Sequence, residues 1–472
     1  MTEPFFVVAA ERVLLALLAG AIVAAAAVYG EGYFDAVAER RAFRALLCFF
    51  FFSVIGAVFS SSWLVFFVFV EISTVALFLM ISIQRRDVAE GYLQIQLVGA
   101  SFFLAGIAGA SIMGGALLSS PVPRVLLPLF ILGLGVKAAL PGLHFWLPEV
   151  HGTAPAPVSA LLSGFAVKLG VFGFLAALPS EPHSFLLAAG AFMALWGAFR
   201  AALQPDVKRL LAYSTMSQLG YIVAAAAAGS QVGTAAAIFH TAVHGLVKGM
   251  LFFCAGILEK TYGTKKFSGL GGGAAALPWT FFLFVFAAAS LLGLPGTPGF
   301  ASKGLIKEAL HGFSPISLCL LAANVGTAVS LFKMGAFAFG GVQKSPRKIL
   351  QGRLRLMNGG MIMLVVFLLP LGLFPGWAPS FLGVEGTRFY SFAKCAESLS
   401  VALAGALLFA AYRKKPGFAD ALLRRIDEAG GCFSCVSDRG GAFVRSVQSG
   451  LLRGYLFAAV ATALLLMLWF SR

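Results

Sequence analysis

Lys137-Ala-Ala-Leu-Pro141-Gly142-Leu-His144-Phe-Trp-Leu-Pro148 and Leu294-Pro295-Gly296-Thr-Pro298-Gly299-Phe-Ala-Ser-Lys303 are two places where long apolar segments break beside a cation. Proline removes a backbone donor and glycine frees the chain, so a helix entering either stretch stops at Pro141–Gly142 or at Pro295, Gly296 and Pro298. A break at membrane depth leaves N–H and C=O groups free to meet an ion, water or a charged side chain. Interrupted helices at matching positions of two halves mark transporters assembled from repeats. The lysines keep nearly the same spacing: Lys168 follows Lys137 by 31 residues and Lys333 follows Lys303 by 30. In each half the first lysine borders the break and the second sits in the next span. Two five-helix units are therefore expected, over 42–178 and 184–340.

Working outward, composition agrees. The chain is 60% hydrophobic and 11% charged, with a mean hydropathy of +0.91, whereas soluble domains carry about 25% charged residues. It reads as an all-α polytopic membrane protein without room for a large soluble domain. Cutting at charged and Gly/Pro-rich breaks gives about fourteen spans of roughly 18–25 residues. They fall at 5–29, 43–60, 62–83, 93–117, 125–148, 156–178, 184–203, 207–228, 232–257, 276–312 (interrupted), 315–340, 356–377, 389–411 and 452–470. Around the two units this leaves an N-terminal span and loop (1–41), two additional spans (341–412), a polar segment (413–450) and a C-terminal span (451–472). Glu3, Glu11 and Arg12 speak against a cleavable signal at the start, because such signals begin with basic residues and keep an uninterrupted apolar core.

The net charge of +16 points to membrane topology rather than to nucleic acid. Lys and Arg collect after odd-numbered spans, from Arg40–Arg41 and Arg85–Arg86 to Lys260, Lys344 and Arg413, while the other loops are nearly bare. By the positive-inside rule the odd loops are cytoplasmic and both termini lie outside. In 413–450, Phe418, Leu422, Ile426, Ala429, Phe433 and Val436 recur at helical spacing between charged residues. That pattern suits an amphipathic helix along the cytoplasmic surface. Of six cysteines only Cys432 and Cys435 have metal-like spacing. Without a second pair or a nearby histidine they read as inert or as a redox disulfide, and no metal site is expected.

The chemistry lies in eight ionisable residues inside apolar runs: Glu71, Lys137, Lys168, His240, His244, Lys248, Lys303 and Lys333. A charge at membrane depth costs several kcal/mol, so a string of them reads as a path for protons or cations. Lysine suits such a path because a desolvated ammonium can lose and regain its proton, which arginine does not do. Glu71 is the only carboxylate deep in an apolar run and forms a plausible switch with Lys137 or Lys168: paired, it holds the lysine protonated; separated, it lets the proton go. His240, His244 and Lys248 stand at i, i+4 and i+8, on one helix face. Three titratable groups in one stripe suit a relay. No phosphate loop, dinucleotide fingerprint, haem or cluster pattern, or serine triad is present, so neither ATP use nor electron transfer is expected on this chain.

Several stretches resemble the antiporter-like subunits of respiratory complex I, membrane-bound hydrogenases and multisubunit cation/proton antiporters. They are Leu143-His-Phe-Trp-Leu-Pro-Glu-Val-His151, Ala154-Pro-Ala-Pro-Val-Ser-Ala-Leu-Leu162, Asp206-Val-Lys-Arg-Leu-Leu-Ala-Tyr-Ser-Thr-Met-Ser-Gln-Leu-Gly-Tyr221, the His240/His244/Lys248 helix and Gly293–Lys303. The resemblance implies a fold of two inverted five-helix repeats. It also implies roles: Glu71 as the lysine's carboxylate partner, Lys137 as the lysine of the first broken helix, and Lys168 as the bridging lysine. His240, His244 and Lys248 match the central relay, and Lys303 the charged residue from which the proton leaves. Arg425-Ile-Asp427 and Gln448-Ser-Gly450-Leu-Leu-Arg-Gly-Tyr455 resemble the end of the largest such subunit, although this chain has fewer spans ahead of Glu71 and a shorter amphipathic segment.

The expectation is a proton-translocating subunit of a redox-driven complex, in an energy-transducing membrane such as a prokaryotic inner membrane. Other membrane subunits and a peripheral redox arm would be its partners, with no cofactor on this chain. The rivals are a subunit of a multisubunit sodium/proton antiporter and a non-conducting membrane scaffold that docks a partner enzyme.

Overall fold

The computed structural model describes residues 6–414 apart from 121, 343 and 345–349, together with 417, 421, 422 and 425. The span expected at 452–470, the Cys432/Cys435 pair and most of 413–450 lie outside the described residues.

Four long helices open the chain: α1 (Ala10–Tyr33), α2 (Val37–Phe59), α3 (Trp63–Ser82) and α4 (Arg86–Ile112). The segment expected as one span at 125–148 is two short helices, α5 (Leu127–Lys137) and α6 (Trp146–Thr153). Next, α7 (Ala156–Leu161) and α8 (Val167–Ala177) make one rod through a π-helical turn, Leu162–Ala166. Then come α9 (Ser184–Leu203), α10 (Val207–Ala226), the long α11 (Gln231–Tyr262) and a short α12 (Gly273–Ala276). The second interrupted segment is α13 (Pro278–Leu292) and α14 (Pro298–Ala309), and α15 (Ser314–Met334) runs on into another π-helical turn, Gly335–Phe339. The remaining helices are α16 (Gln351–Leu373), α17 (Trp377–Phe381) and α18 (Phe392–Lys414). Among the described residues ten helices are long and apolar enough to cross a membrane; no β-sheet forms, and strand pairing is limited to isolated bridges. This is an integral membrane protein.

Both breaks are built alike. Pro-Gly is followed by a left-handed turn at the glycine, with φ +83° at Gly142 and +85° at Gly296, a conformation that costs glycine nothing. The first break also holds Ala139 at φ +54°, which a residue with a Cβ adopts only under strain. Helix ends expose carbonyls that have no partner within the helix. At the first break Trp146 Nε1 donates to Val136 O at 3.0 Å. At the second, Lys303 Nζ donates to Leu291 O (2.6 Å), Asn324 Nδ2 to Leu292 O (3.1 Å) and Ser398 Oγ to Gly293 O (2.6 Å). The break thus creates acceptors at membrane depth, and a lysine occupies one of them.

The centre of the bundle is α11. Its most apolar stretch is wholly buried, with α1, α7, α10, α13, α14 and α16 packed around it. Tyr29 of α1 fixes one such contact, stacking on Phe253 with ring centroids 4.1 Å apart and donating to Phe253 O at 2.8 Å. A cluster of edge-on aromatics, with Trp63 4.9 Å from Phe130 and Phe103 5.4 Å from Phe130, ties α3, α4 and α5 together. The outer helices instead show Phe52, Phe282, Leu403 and Leu407 on the surface, as expected where the surrounding solvent is lipid. Between α1 and α2, Asp35 accepts a hydrogen bond from Lys260 Nζ (2.8 Å) and pairs with Arg353. The Lys260 hydrogen bond, with Arg353 adding to it, holds the Asp35 carboxyl below its ordinary range. Exposed pairs of this kind contribute at most about 1 kcal/mol each, so they orient the loop more than they hold the fold.

Candidate functional site

Glu71 and Lys137 meet between α3 and α5. Lys137 Nζ lies 3.0 Å from Glu71 Oε1, and its well-directed hydrogen bond goes to Thr74 Oγ1 at 2.7 Å. Glu71 Oε1 itself has no aligned hydrogen bond among the described residues. Charge attraction, more than a directed bond, therefore holds the pair, and such a contact can open without breaking a fixed geometry. The partners are unequally exposed, at 7% for the lysine and 19% for the glutamate. Glu71 sits nearer the edge of the bundle.

Lys168 lies one residue beyond the start of α8, directly after the first π-helical turn. It is buried, and its ammonium donates to Ser163 O inside that turn. π-helical turns often occur at functional sites. Ser163 Oγ in turn sits 2.7 Å from Thr215 Oγ1 on α10. The rod carrying Lys168 thereby contacts the helix that carries the next polar groups.

The stripe on α11 is fully internal: His240, His244 and Lys248 are each at most 1% exposed. Lys248 Nζ donates to Ser214 Oγ at 2.8 Å and to Leu211 O at 3.1 Å, both on α10. The His240 ring is held at both nitrogens, Nδ1 2.9 Å from Ser302 Oγ and Nε2 3.1 Å from Gln218 Oε1. Gln218 Nε2 donates to Thr327 Oγ1 at 3.4 Å. His244 stacks along His240 with ring centroids 6.0 Å apart, and neither of its nitrogens has a hydrogen-bond partner among the described residues. Lys168, Lys248, His240 and Lys303 all lie close enough to act on its charge.

Lys303 closes the row. Besides Leu291 O, its ammonium donates to Asn324 Oδ1 at 2.6 Å and lies 5.3 Å from the centroid of the Tyr221 ring. It lines two adjoining chambers of about 470 and 450 Å³. The rim of those chambers carries Lys307 paired with Glu397 of α18.

Of the eight ionisable residues expected in a path, Glu71 and Lys137 form one pair, while Lys168, His240, Lys248 and Lys303 gather around His244. Lys333 lies beside the end of α9. Its ammonium donates to Ala202 O at 2.9 Å near the end of α9 and packs over the rings of Phe267 and Tyr412. The two histidines near the first break are internal too, His144 within the break and His151 on α6, where it stacks on Phe252 at 4.7 Å. Lys208 is 1% exposed; it donates to Ala154 O at 2.6 Å and to Glu259 Oε2 at 3.2 Å, so the start of α10 is buried.

One chemical feature runs through the row. Lys168, Lys248 and Lys303 are held by carbonyls and neutral side-chain oxygens, while Glu71 supplies a carboxylate at one end. A carboxylate stabilises the ammonium strongly, but neutral acceptors leave it free to lose its proton without stranding a counter-charge.

The family model described as "NADH:quinone oxidoreductase/Mrp antiporter, TM" matches residues 60–330. NADH-quinone oxidoreductase subunit N of Desulforudis audaxviator is 34% identical over 297 residues, covering 57% of this chain and 59% of that protein. A Na(+)/H(+) antiporter subunit of Alkalihalophilus pseudofirmus is 31% identical over 304 residues, covering 59% of this chain and 62% of that protein. The matched part therefore spans about three fifths of the length of these curated relatives. In fold the chain is similar to a chain of the Mrp complex from Dietzia sp. DQ12-45-1b, with a TM-score of 0.78 at 24% identity, over 97% of this chain and 54% of that one. With the family match covering more than half of its length and a row of buried titratable groups at its core, the chain belongs to the NADH:quinone oxidoreductase/Mrp antiporter transmembrane family.

Proposed function

We propose that this chain is a proton-translocating, antiporter-like membrane subunit of a larger redox-driven complex, of the complex I or membrane-bound hydrogenase kind. The observation that carries this reading is the row Glu71–Lys137, Lys168, His244, Lys248, His240 and Lys303, with a carboxylate at one end and neutral acceptors elsewhere. With the Glu71–Lys137 pair closed, the Lys137 ammonium is neutralised. When the pair opens, an unbalanced positive charge faces Lys168, and repulsion drives the Lys168 proton toward His244 and Lys248. His240, held between Gln218 and Ser302, connects that centre to Lys303, which opens onto the two chambers. Redox chemistry on partner subunits supplies the energy, and no redox group is assigned to this chain.

The architecture we propose is two inverted five-helix units, 42–178 and 184–340, within about fourteen spans. Its support is the matched Pro-Gly breaks, each with a left-handed glycine and each followed by a helix containing a π-helical turn. The charge pattern of the loops supports cytoplasmic odd loops and external termini. Lys333, held near the end of α9, serves this reading as a side branch facing the cytoplasmic end of the second unit.

Replacing Glu71 by glutamine tests the switch. In sealed vesicles holding the native complex, the E71Q variant is expected to take up protons about tenfold more slowly than wild type, the loss that follows from removing one charge-assisted interaction. Assembly should persist, because Thr74 still receives the ammonium. An unchanged rate would make the pair a fixed structural contact. The similarity to a Na(+)/H(+) antiporter subunit supports a second reading, exchange driven by an ion gradient. Uptake of radioactive sodium in the same vesicles separates the two: sodium moving opposite to protons without redox turnover favours the exchanger.

A further inference from the structure

Next to Lys137 is a polar group to which nothing above gives a task. Gln96, on α4, is 1% exposed. Neither its amide nitrogen nor its amide oxygen has a hydrogen-bond partner among the described residues. A buried carboxamide has two donors and two acceptor sites, and leaving them unmet is destabilising. A position of this kind is normally apolar or satisfied, so this glutamine calls for a partner.

Its surroundings point to that partner. Gln96 and Lys137 line the same small cavity of about 10 Å³, together with Thr74, with Leu162 and Ala166 of the turn that leads to Lys168, and with Val167 at the start of α8. That volume suits about one water molecule. Lys137 has three N–H donors; Thr74 takes one, and Glu71 meets the ammonium as an ion pair without an aligned hydrogen bond. Glu71 lies on the more exposed side of the ammonium, whereas Gln96 lies fully inside. Lys137 also ends α5 two residues before Ala139, whose φ of +54° is strained for a residue bearing a Cβ.

Resting on the proton-translocation reading above, we propose that Gln96 is the inner resting site of the Lys137 ammonium. When the Glu71 pair opens, the carboxamide oxygen accepts an N–H of the released ammonium, through a water of the size the cavity admits. The carboxamide takes no proton, since it is not a base at neutral pH. It is a positioning residue that holds a charged Lys137 toward Lys168. The lysine thus has two sites: a carboxylate that neutralises its charge and an amide that leaves it unscreened.

The test uses the native complex in sealed vesicles, comparing wild type with Gln96→Leu, Gln96→Asn and Glu71→Gln for proton uptake and thermal stability. Leucine removes an orphaned polar group, so a merely structural role predicts equal or higher stability and wild-type uptake. The proposal predicts stability equal or higher while uptake falls about tenfold, the scale of one hydrogen bond to a charged group. Gln96→Asn, which keeps the amide, should recover most of that loss. Wild-type uptake in Gln96→Leu alongside slowed Glu71→Gln overturns the role of Gln96 and leaves the translocation reading standing. Wild-type uptake in both variants overturns that reading itself. Lower stability in Gln96→Leu without rescue by asparagine makes the residue structural and also overturns the proposal.

Discussion

Replacing Lys248 by methionine is expected to stop proton translocation and leave the complex assembled. Lys248 is the ammonium at the centre of the row, 0% exposed and held by Ser214 and Leu211 O. A positioned proton-transfer group contributes about 100-fold or more to rate, and methionine fills the same space with nothing to protonate. The effect on stability is decided by two opposed magnitudes. Losing the lysine leaves the Ser214 hydroxyl short of a partner, which costs about 1–3 kcal/mol. Removing a buried charge relieves a desolvation penalty of several kcal/mol, so the balance is neutral or favourable. Proton uptake into vesicles, read beside gel filtration of the purified complex, checks both halves. A variant that pumps normally removes Lys248 from the path.

A second large effect is expected at Gly299, where even alanine should be severely destabilising. An added Cβ there would lie 1.6 Å from Ser290 O, a main-chain atom at the end of α13 that cannot turn aside as a side chain can. This close approach lets α14 restart against α13, and it keeps Leu291 O within reach of Lys303. Forcing the two halves apart is expected to cost about 3 kcal/mol or more. It should also reduce transport, because Lys303 loses its carbonyl. Gly304, one turn further along α14, provides the control, since its added Cβ would meet nothing within 4 Å. Gly304→Ala should be neutral or stabilising by about 0.5–1 kcal/mol. Thermal unfolding of the purified complex distinguishes them, and similar melting temperatures for the two variants would contradict the packing described for the break.

Where the sequence was legible, the cause was cost. Glu71, the lysines and the α11 histidines stand out because ionisable groups in apolar runs are expensive, and the two Pro-Gly breaks stand out because proline and glycine interrupt helices. The uncharged half of the site gave no comparable sign. Thr74, Ser163, Ser214, Thr215, Gln218, Ser302, Asn324 and Thr327 are ordinary in membrane helices, and their partners lie far away along the chain. The run Ser214-Thr215-Met216-Ser217-Gln218 was visible, but only the packing of α10 against α11 turns it into ligands for Lys248 and His240. The π-helical turns that precede Lys168 and follow Lys333 likewise depend on tertiary packing and have no local signature.

Two positions show what spacing alone leaves open. Lys208 begins a helix beside Asp206 and Arg209, a pattern typical of an interfacial anchor, yet α6 and α11 cover it and Glu259 meets it. Lys333 keeps the spacing of Lys168 from its break but points to the end of α9. Spacing along the chain fixes which helix carries a residue, whereas the rotation of that helix against its neighbours decides what the residue meets.

The most direct test is proton uptake by the native complex in sealed vesicles, driven by its redox substrate, with wild type set against Lys168→Ala and assembly confirmed for both. In the proposed path Lys168 stands between the Glu71 pair and the α11 stripe, so its loss should cut uptake by at least about 100-fold while the complex stays intact. Equal uptake by the two proteins would show that the buried row is structural, and the chain would then stand as a non-conducting scaffold for its partners.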